Sequence, residues 1–140
     1  MKKILIIVCL FLLLMGCQNN IAASNQKKWE EMHNFNIEDA REIVIKDRQG
    51  LQVMITSMDS VSGLMNSLSA AVYNMGQFDI DRPDYTADIY FANGDVHTLM
   101  LWLANEGDIL ICEEGSGHYQ LLDERTKFIE LLKEENVRVD

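Results

Sequence analysis

The feature that most constrains this chain is a series of β-rich runs joined by very short connections. Tyr85 to Ala92 alternates apolar and polar, Asn93-Gly94 follows, and Val96 to Leu103 returns as a second run. Asn-Gly between such runs is the strongest short hairpin signal, because both turn positions tolerate positive φ. Glu42 to Lys46 (EIVIK) and Leu51 to Ser57 (LQVMITS) flank Asp47-Arg48-Gln49-Gly50, a second hairpin signal containing glycine. Asn105-Glu106-Gly107-Asp108 makes another turn before Ile109 to Cys112. Gly115 and Gly117 break that run, and His118 to Leu121 offers one further strand. Connections this short demand antiparallel pairing.

Two segments carry helical spacing instead. Met58, Val61, Met65, Leu68, Val72 and Met75 recur at alternating steps of three and four, which predicts an amphipathic helix widened by Leu64 and Ala71. Ser57 is expected to cap it, Asp59 suits the positive end of its dipole, and Gly76 stands where it should end. Methionines on such a face fill irregular core gaps more often than they line a binding groove. Asp123 is expected to cap a final helix, with Phe128, Ile129, Leu131 and Leu132 on its apolar side. The expected order is β-β-α-β-β-β-(β)-α. This is an α+β fold with a single antiparallel sheet of four to six strands and both helices on one face.

The N-terminal segment obeys other rules. Met1-Lys2-Lys3 is basic, Ile4 to Met15 is unbroken apolar sequence, and Gly16-Cys17 leads into polar Gln18-Asn19-Asn20. A core helix would show a polar stripe, and this run has none. As a helix it would cover only about 18 Å of a roughly 30 Å hydrocarbon layer. A basic start, a short apolar stretch and a small residue at the cut describe a secretory signal peptide. Leu14-Met15-Gly16-Cys17 resembles the lipobox of bacterial lipoproteins. That resemblance implies cleavage between Gly16 and Cys17 and attachment of diacylglycerol to the Cys17 thiol. Two acyl chains suffice for stable anchoring where one does not.

The expected organisation is therefore a signal peptide at 1–16, a lipidated Cys17 with a flexible tether over 17–27, and a single α+β domain over 28–140. The tether reads Gln18 to Gln26 (QNNIAASNQ), and as a coil of about nine residues it reaches roughly 15–18 Å. Lys27 and Lys28 at its end fall short of a polybasic, lipid-binding cluster. The implied location is the extracytoplasmic face of the cell membrane, or the outer membrane in a host that has one. Cleavage removes Cys9 and lipidation uses Cys17, so Cys112 remains as the one free thiol, expected to be a buried small hydrophobe.

Within the domain, Asp84-Tyr85-Thr86-Ala87-Asp88-Ile89-Tyr90-Phe91-Ala92-Asn93-Gly94, Leu101-Trp102-Leu103, and Tyr119-Gln120-Leu121 before the last helix are similar to the YhfM-like domain of small Bacillus lipoproteins. The similarity covers roughly residues 40–135. It implies an exported lipoprotein domain and brings no functional residue to carry across.

The charged and chemistry-bearing residues narrow the function further. With 12 basic and 22 acidic side chains, a formal net charge of −10, the chain lacks the basic face that nucleic acid requires. His33, His97 and His118 lie in separate segments without metal-ligand spacing, although His97 and His118 could meet across adjacent strands. Asp79-Ile80-Asp81-Arg82-Pro83-Asp84, followed by Asp88, imitates a calcium loop, but Arg82 brings in a positive charge, Pro83 falls where the third ligand belongs and the glycine after it is missing. Gly115-Ser116-Gly117 lacks the spacing of a nucleophile elbow. Glu113 and Glu114 are neighbours on a strand and point to opposite faces. No catalytic residue, metal ligand or cofactor is expected. The reading is a membrane-tethered, non-catalytic binding module whose partner is an envelope protein, basic if the acidity selects it. The competing reading is a small envelope enzyme or metal-binding protein using the Asp79–Asp88 loop, or His97 and His118 near Glu113.

Overall fold

A computed structural model describes residues 33, 35–74, 78, 80–103 and 107–139. The signal peptide, the lipobox and the tether lie outside the described residues. After a short 3-10 turn at Ile37–Asp39, β1 (Ala40–Asp47) and β2 (Gln52–Ile55) form the first hairpin. Its turn is closed by the Asp47 carboxylate, whose Oδ1 accepts from the Gln49 and Leu51 amides at 2.8 and 2.9 Å. Gly50 takes the positive φ of +85° that completes it. There follow α1 (Met58–Leu68), β3 (Val72–Asn74), β4 (Tyr85–Phe91), β5 (Val96–Trp102), β6 (Ile109–Glu113), β7 (Tyr119–Leu122) and α2 (Arg125–Glu134).

The strands build one antiparallel sheet in the order β2-β1-β4-β5-β6-β7-β3. The α+β expectation fits, but the sheet has seven strands, not four to six. The extra strand comes from the segment expected to extend α1 to Met75. The helix stops at Leu68, where Ser69 caps it and the Ala70 and Ala71 amides bond back to Ser67 and Leu68 carbonyls in tightening turns. Val72 and Tyr73, a β-branched and an aromatic residue, then pair with Leu121 and Gln120 of β7. The three-four spacing ran on past the helix because Val72 happens to fall on it, yet Val72 is exposed.

The caps also differ in detail. Ser57 is the N-cap of α1 but makes no side-chain cap bond. Glu124, not Asp123, occupies the N-cap of α2, and Asp123 instead accepts the Arg125 amide through its backbone carbonyl. In the β4–β5 turn Gly94 has φ +90°, whereas Asn93 is not among the positive-φ residues. The Gly94 amide bonds to the Phe91 carbonyl, and the Phe91 amide to the Asp95 carbonyl. This is a longer turn with one left-handed residue, so only the glycine is conformationally required.

Strand alternation sorts the side chains. Ile43, Ile45, Ile55, Ala87, Ile89, Leu99, Leu101, Ile109 and Ile111 enter one core with Val61, Leu64, Met65 and Leu68 of α1 and Phe128 and Leu132 of α2. Both helices thus bury their apolar faces in the same layer. The other face holds a smaller cluster of Trp102, Leu110 and Cys112, against which Phe78, Ile80, Met100, Tyr119 and Leu121 pack. The chain around Ile80–Asp84 covers this part of the sheet, and Trp102 Nε1 donates to the Asp81 carbonyl at 2.9 Å. Cover on both sides explains why β6 is apolar from Ile109 to Cys112 rather than alternating. Among the described residues no helix is long and apolar enough to cross a membrane.

Candidate functional site

The sheet face that carries the helices is polar at one end, beside the β4–β5 and β6–β7 turns. Glu113 ends β6, and Gln120 lies near the start of β7 opposite Ile111. Glu113 pairs with Leu99 on β5, which makes His97 its diagonal neighbour on the same face. His97 Nδ1 lies 2.6 Å from Glu113 Oε1. His33, far upstream in sequence, places Nδ1 2.6 Å from Glu113 Oε2 and Nε2 2.8 Å from Gln120 Oε1. A carboxylate only accepts, so each imidazole donates Nδ1–H to its own oxygen of Glu113.

Aromatic rings frame this arrangement. Phe35 stacks tilted on Phe91 at 4.7 Å between centroids and on His97 at 4.6 Å, and it reaches His33 at 5.6 Å. The His33 side chain is only 3% exposed and Glu113 17% exposed. In such a setting an orphaned donor is costly, and each ring meets its own oxygen of the carboxylate. Gln120 adds adaptability. Its amide offers an oxygen to a doubly protonated ring, or, turned over, an NH2 to a neutral one.

The remaining sequence-nominated groups scatter. Leu14, Met15, Gly16 and Cys17 of the lipobox lie outside the described residues, as does Asp79. His97 stands on β5 and His118 just before β7, with β6 between their strands, so the strands are not adjacent. His118 is exposed and its ring meets Tyr73 edge-on at 5.8 Å. In the acidic loop, Asp84 Oδ2 accepts the Leu103 amide at 2.7 Å while its Oδ1 pairs with Arg48 at 3.0 Å. Asp88 accepts from Lys46 at 2.6 Å and from the Thr98 hydroxyl at 2.7 Å. Burial pushes the Asp88 carboxyl up, but the bonds from Lys46 and Thr98 outweigh it and hold the group below its ordinary value. The same bond raises the Lys46 ammonium above its ordinary value. These carboxylates fasten strands and loop together. Among the described residues no three His, Cys, Asp or Glu side chains are grouped to hold a metal ion.

Ser116 donates to the Glu113 carbonyl at 2.9 Å and receives the His118 amide, closing a turn whose flanking glycines both have positive φ. Its hydroxyl is a turn-forming group. Cys112 is buried with its thiol 3.4 Å from the Glu113 carbonyl, in keeping with the expected buried cysteine. Glu114 is exposed while Glu113 faces the histidines.

The sequence nominated His97 and Glu113 only beside His118, and it missed the part played by His33 and Gln120. Separations of 80 and 87 residues leave no local pattern that could have revealed those contacts.

A family model described as YhfM protein matches residues 36–137, most of the chain. The chain belongs to the YhfM family. In YhfM terms, the matched stretch runs from Asn36, the cap of the 3-10 turn, to Val137, just beyond α2. Glu113, Gln120 and His97 fall inside the YhfM stretch, and His33 and Phe35 fall just before it. No curated protein and no solved structure matches the chain.

Proposed function

We propose that this YhfM-family chain is a lipoprotein, tethered through diacylglycerol on Cys17 to the extracytoplasmic face of the cell membrane, whose domain is a non-catalytic binding module for an envelope protein. The observation that carries the anchor is Leu14-Met15-Gly16-Cys17 placed directly after a basic start and an unbroken apolar run. The segment after Cys17 supports it. Gln18 to Gln26 (QNNIAASNQ), between Cys17 and the domain, is polar and small, the composition of a tether.

The non-catalytic reading is supported by how the chemistry-bearing groups are engaged. Glu113 serves two histidines, Asp84 and Asp88 hold basic residues and neighbouring donors, and Ser116 closes its own turn. The test compares intact mass and membrane partition of the full chain with a Cys17→Ala variant, both expressed in a bacterial host. Wild-type protein in the membrane fraction, cut before Cys17 and heavier by a diacylglyceryl group, is the expected result. Identical soluble, unlipidated masses for both proteins would overturn the anchor.

A further inference from the structure

We propose that Glu113 and Gln120 form a binding notch for a planar nitrogen cation, an arginine or histidine side chain of a partner protein, and that His33 of the same chain occupies this notch in its place. The inference rests on the binding-module reading and gives that module its site.

The notch belongs to the sheet and not to its occupant. Adjacent antiparallel strands set Glu113 at the end of β6 and Gln120 on β7, both on the helix-bearing face. Together they offer a carboxylate oxygen, Glu113 Oε2, and an amide able to present its oxygen, Gln120 Oε1, which face opposite edges of one flat ring at 2.6 and 2.8 Å. A guanidinium presents its N–H groups in a similar planar fork, whereas an ammonium is a point charge with no plane to match. His97 holds the second carboxylate oxygen at 2.6 Å and fixes the orientation of Glu113. The Phe35 ring beside the occupant adds an aromatic surface suited to a flat cation.

The occupant comes from outside the family domain. The YhfM match begins at residue 36, so the acceptors are part of the matched domain while His33 precedes it. A short link to the 3-10 turn gives His33 a high effective concentration at the notch, which a free ligand must overcome. If the displaced state holds about 1–10% of molecules, His33 masks the affinity of the notch about 10- to 100-fold. A partner side chain then gains the site by displacing the His33 ring from Glu113 and Gln120.

The experiment uses the full chain in detergent, with thermal unfolding read against imidazole, methylguanidinium and methylammonium. His33→Ala is expected to gain saturable stabilisation from imidazole and methylguanidinium and none from methylammonium. Wild type is expected to need about 10- to 100-fold more of either planar probe for the same shift. The double variant His33→Ala, Glu113→Gln is expected to lose the response. A folded His33→Ala protein that ignores both planar probes overturns the proposal, and so does an equal response from the double variant. If the alanine variant does not fold, His33→Asn is measured in its place, and the same two results overturn the proposal. Intact mass of the same preparations reports lipidation of Cys17 separately. A lost probe response on a lipidated chain therefore rejects the notch alone, and a saturable response on an unlipidated chain rejects the anchor alone.

Discussion

Two substitutions at one carboxylate separate the roles of charge and hydrogen bonding in the cluster around Glu113. In Glu113→Gln the new amide oxygen accepts from one imidazole, and the new NH2 faces the other. That second ring is satisfied by moving its proton from Nδ1 to Nε2. His33 tolerates this well, because its Nε2 already faces Gln120 Oε1 at 2.8 Å. What is lost is the charge assistance of two bonds, partly screened because Glu113 is 17% exposed, for a net cost of about 1 kcal/mol. Glu113→Ala removes both acceptors and orphans two Nδ1–H groups, one on a ring only 3% exposed. Each orphaned donor costs about 1–3 kcal/mol, and relaxation of the more exposed His97 brings the sum to about 2–4 kcal/mol. For a domain of about 100 residues each kcal/mol moves Tm by about 4–6 °C, so the alanine variant should melt on the order of 10–20 °C lower. Urea titration with an unchanged slope gives the same difference as a free energy. A glutamine variant as damaged as the alanine variant would refute the tautomer argument. Losses under about 0.5 kcal/mol for both would refute any structural role of the cluster.

Two further outcomes follow from other parts of the sheet. Asp88 has a lowered folded pKa, so its contribution is present above its ordinary value near 3.9 and is lost as pH falls through the lowered value. Lys46 has a raised one, so its contribution is present below about 10.4 and is lost as pH rises through the raised value. Tm measured from acid to alkaline pH should therefore fall less steeply at both ends in Asp88→Asn than in wild type, and superimposable profiles would refute this pairing. In the core, Phe128→Ala should cost about 3–5 kcal/mol, because the ring is 1% exposed between helix and sheet, whereas Met54→Ala at 64% exposure should stay within about 0.5 kcal/mol. Chemical denaturation of the two variants checks the contrast, and equal losses would sink it.

Much of the sheet was legible because its hairpins are written locally. Asn93-Gly94 between alternating runs located β4 and β5, and Asp47 to Gly50 located the β1–β2 turn. The third strand was not legible, because its pairing with β7 depends on a partner nearly 50 residues away while its spacing continues that of α1. The type of the Asn93-Gly94 turn also escaped, since Asp95 adds a bonded residue that the dipeptide does not announce. For the site, burial of Cys112 followed from its apolar neighbours. The meeting of His33 with Gln120 is purely tertiary and has no periodic trace. Expectations for Cys17 and its lipobox rest on the sequence itself.

The placement of β2 and β3 has a consequence for how the protein is made. These strands are consecutive along the chain, yet they form the two opposite borders of the sheet, with five strands laid between them. A polypeptide synthesised from its N-terminus thus produces β3 well before β7, its neighbour in the sheet. Until residue 122 has emerged, Val72 and Tyr73 wait for the strand they pair with, and Glu113 is made long after His33. The β1–β2 hairpin and β4 can associate early, so completion of the molecule waits on its last quarter. Such late, long-range closure slows folding and exposes an apolar strand to other chains meanwhile. Purified chains truncated before β7 and chains complete through α2 should accordingly differ sharply in protease resistance.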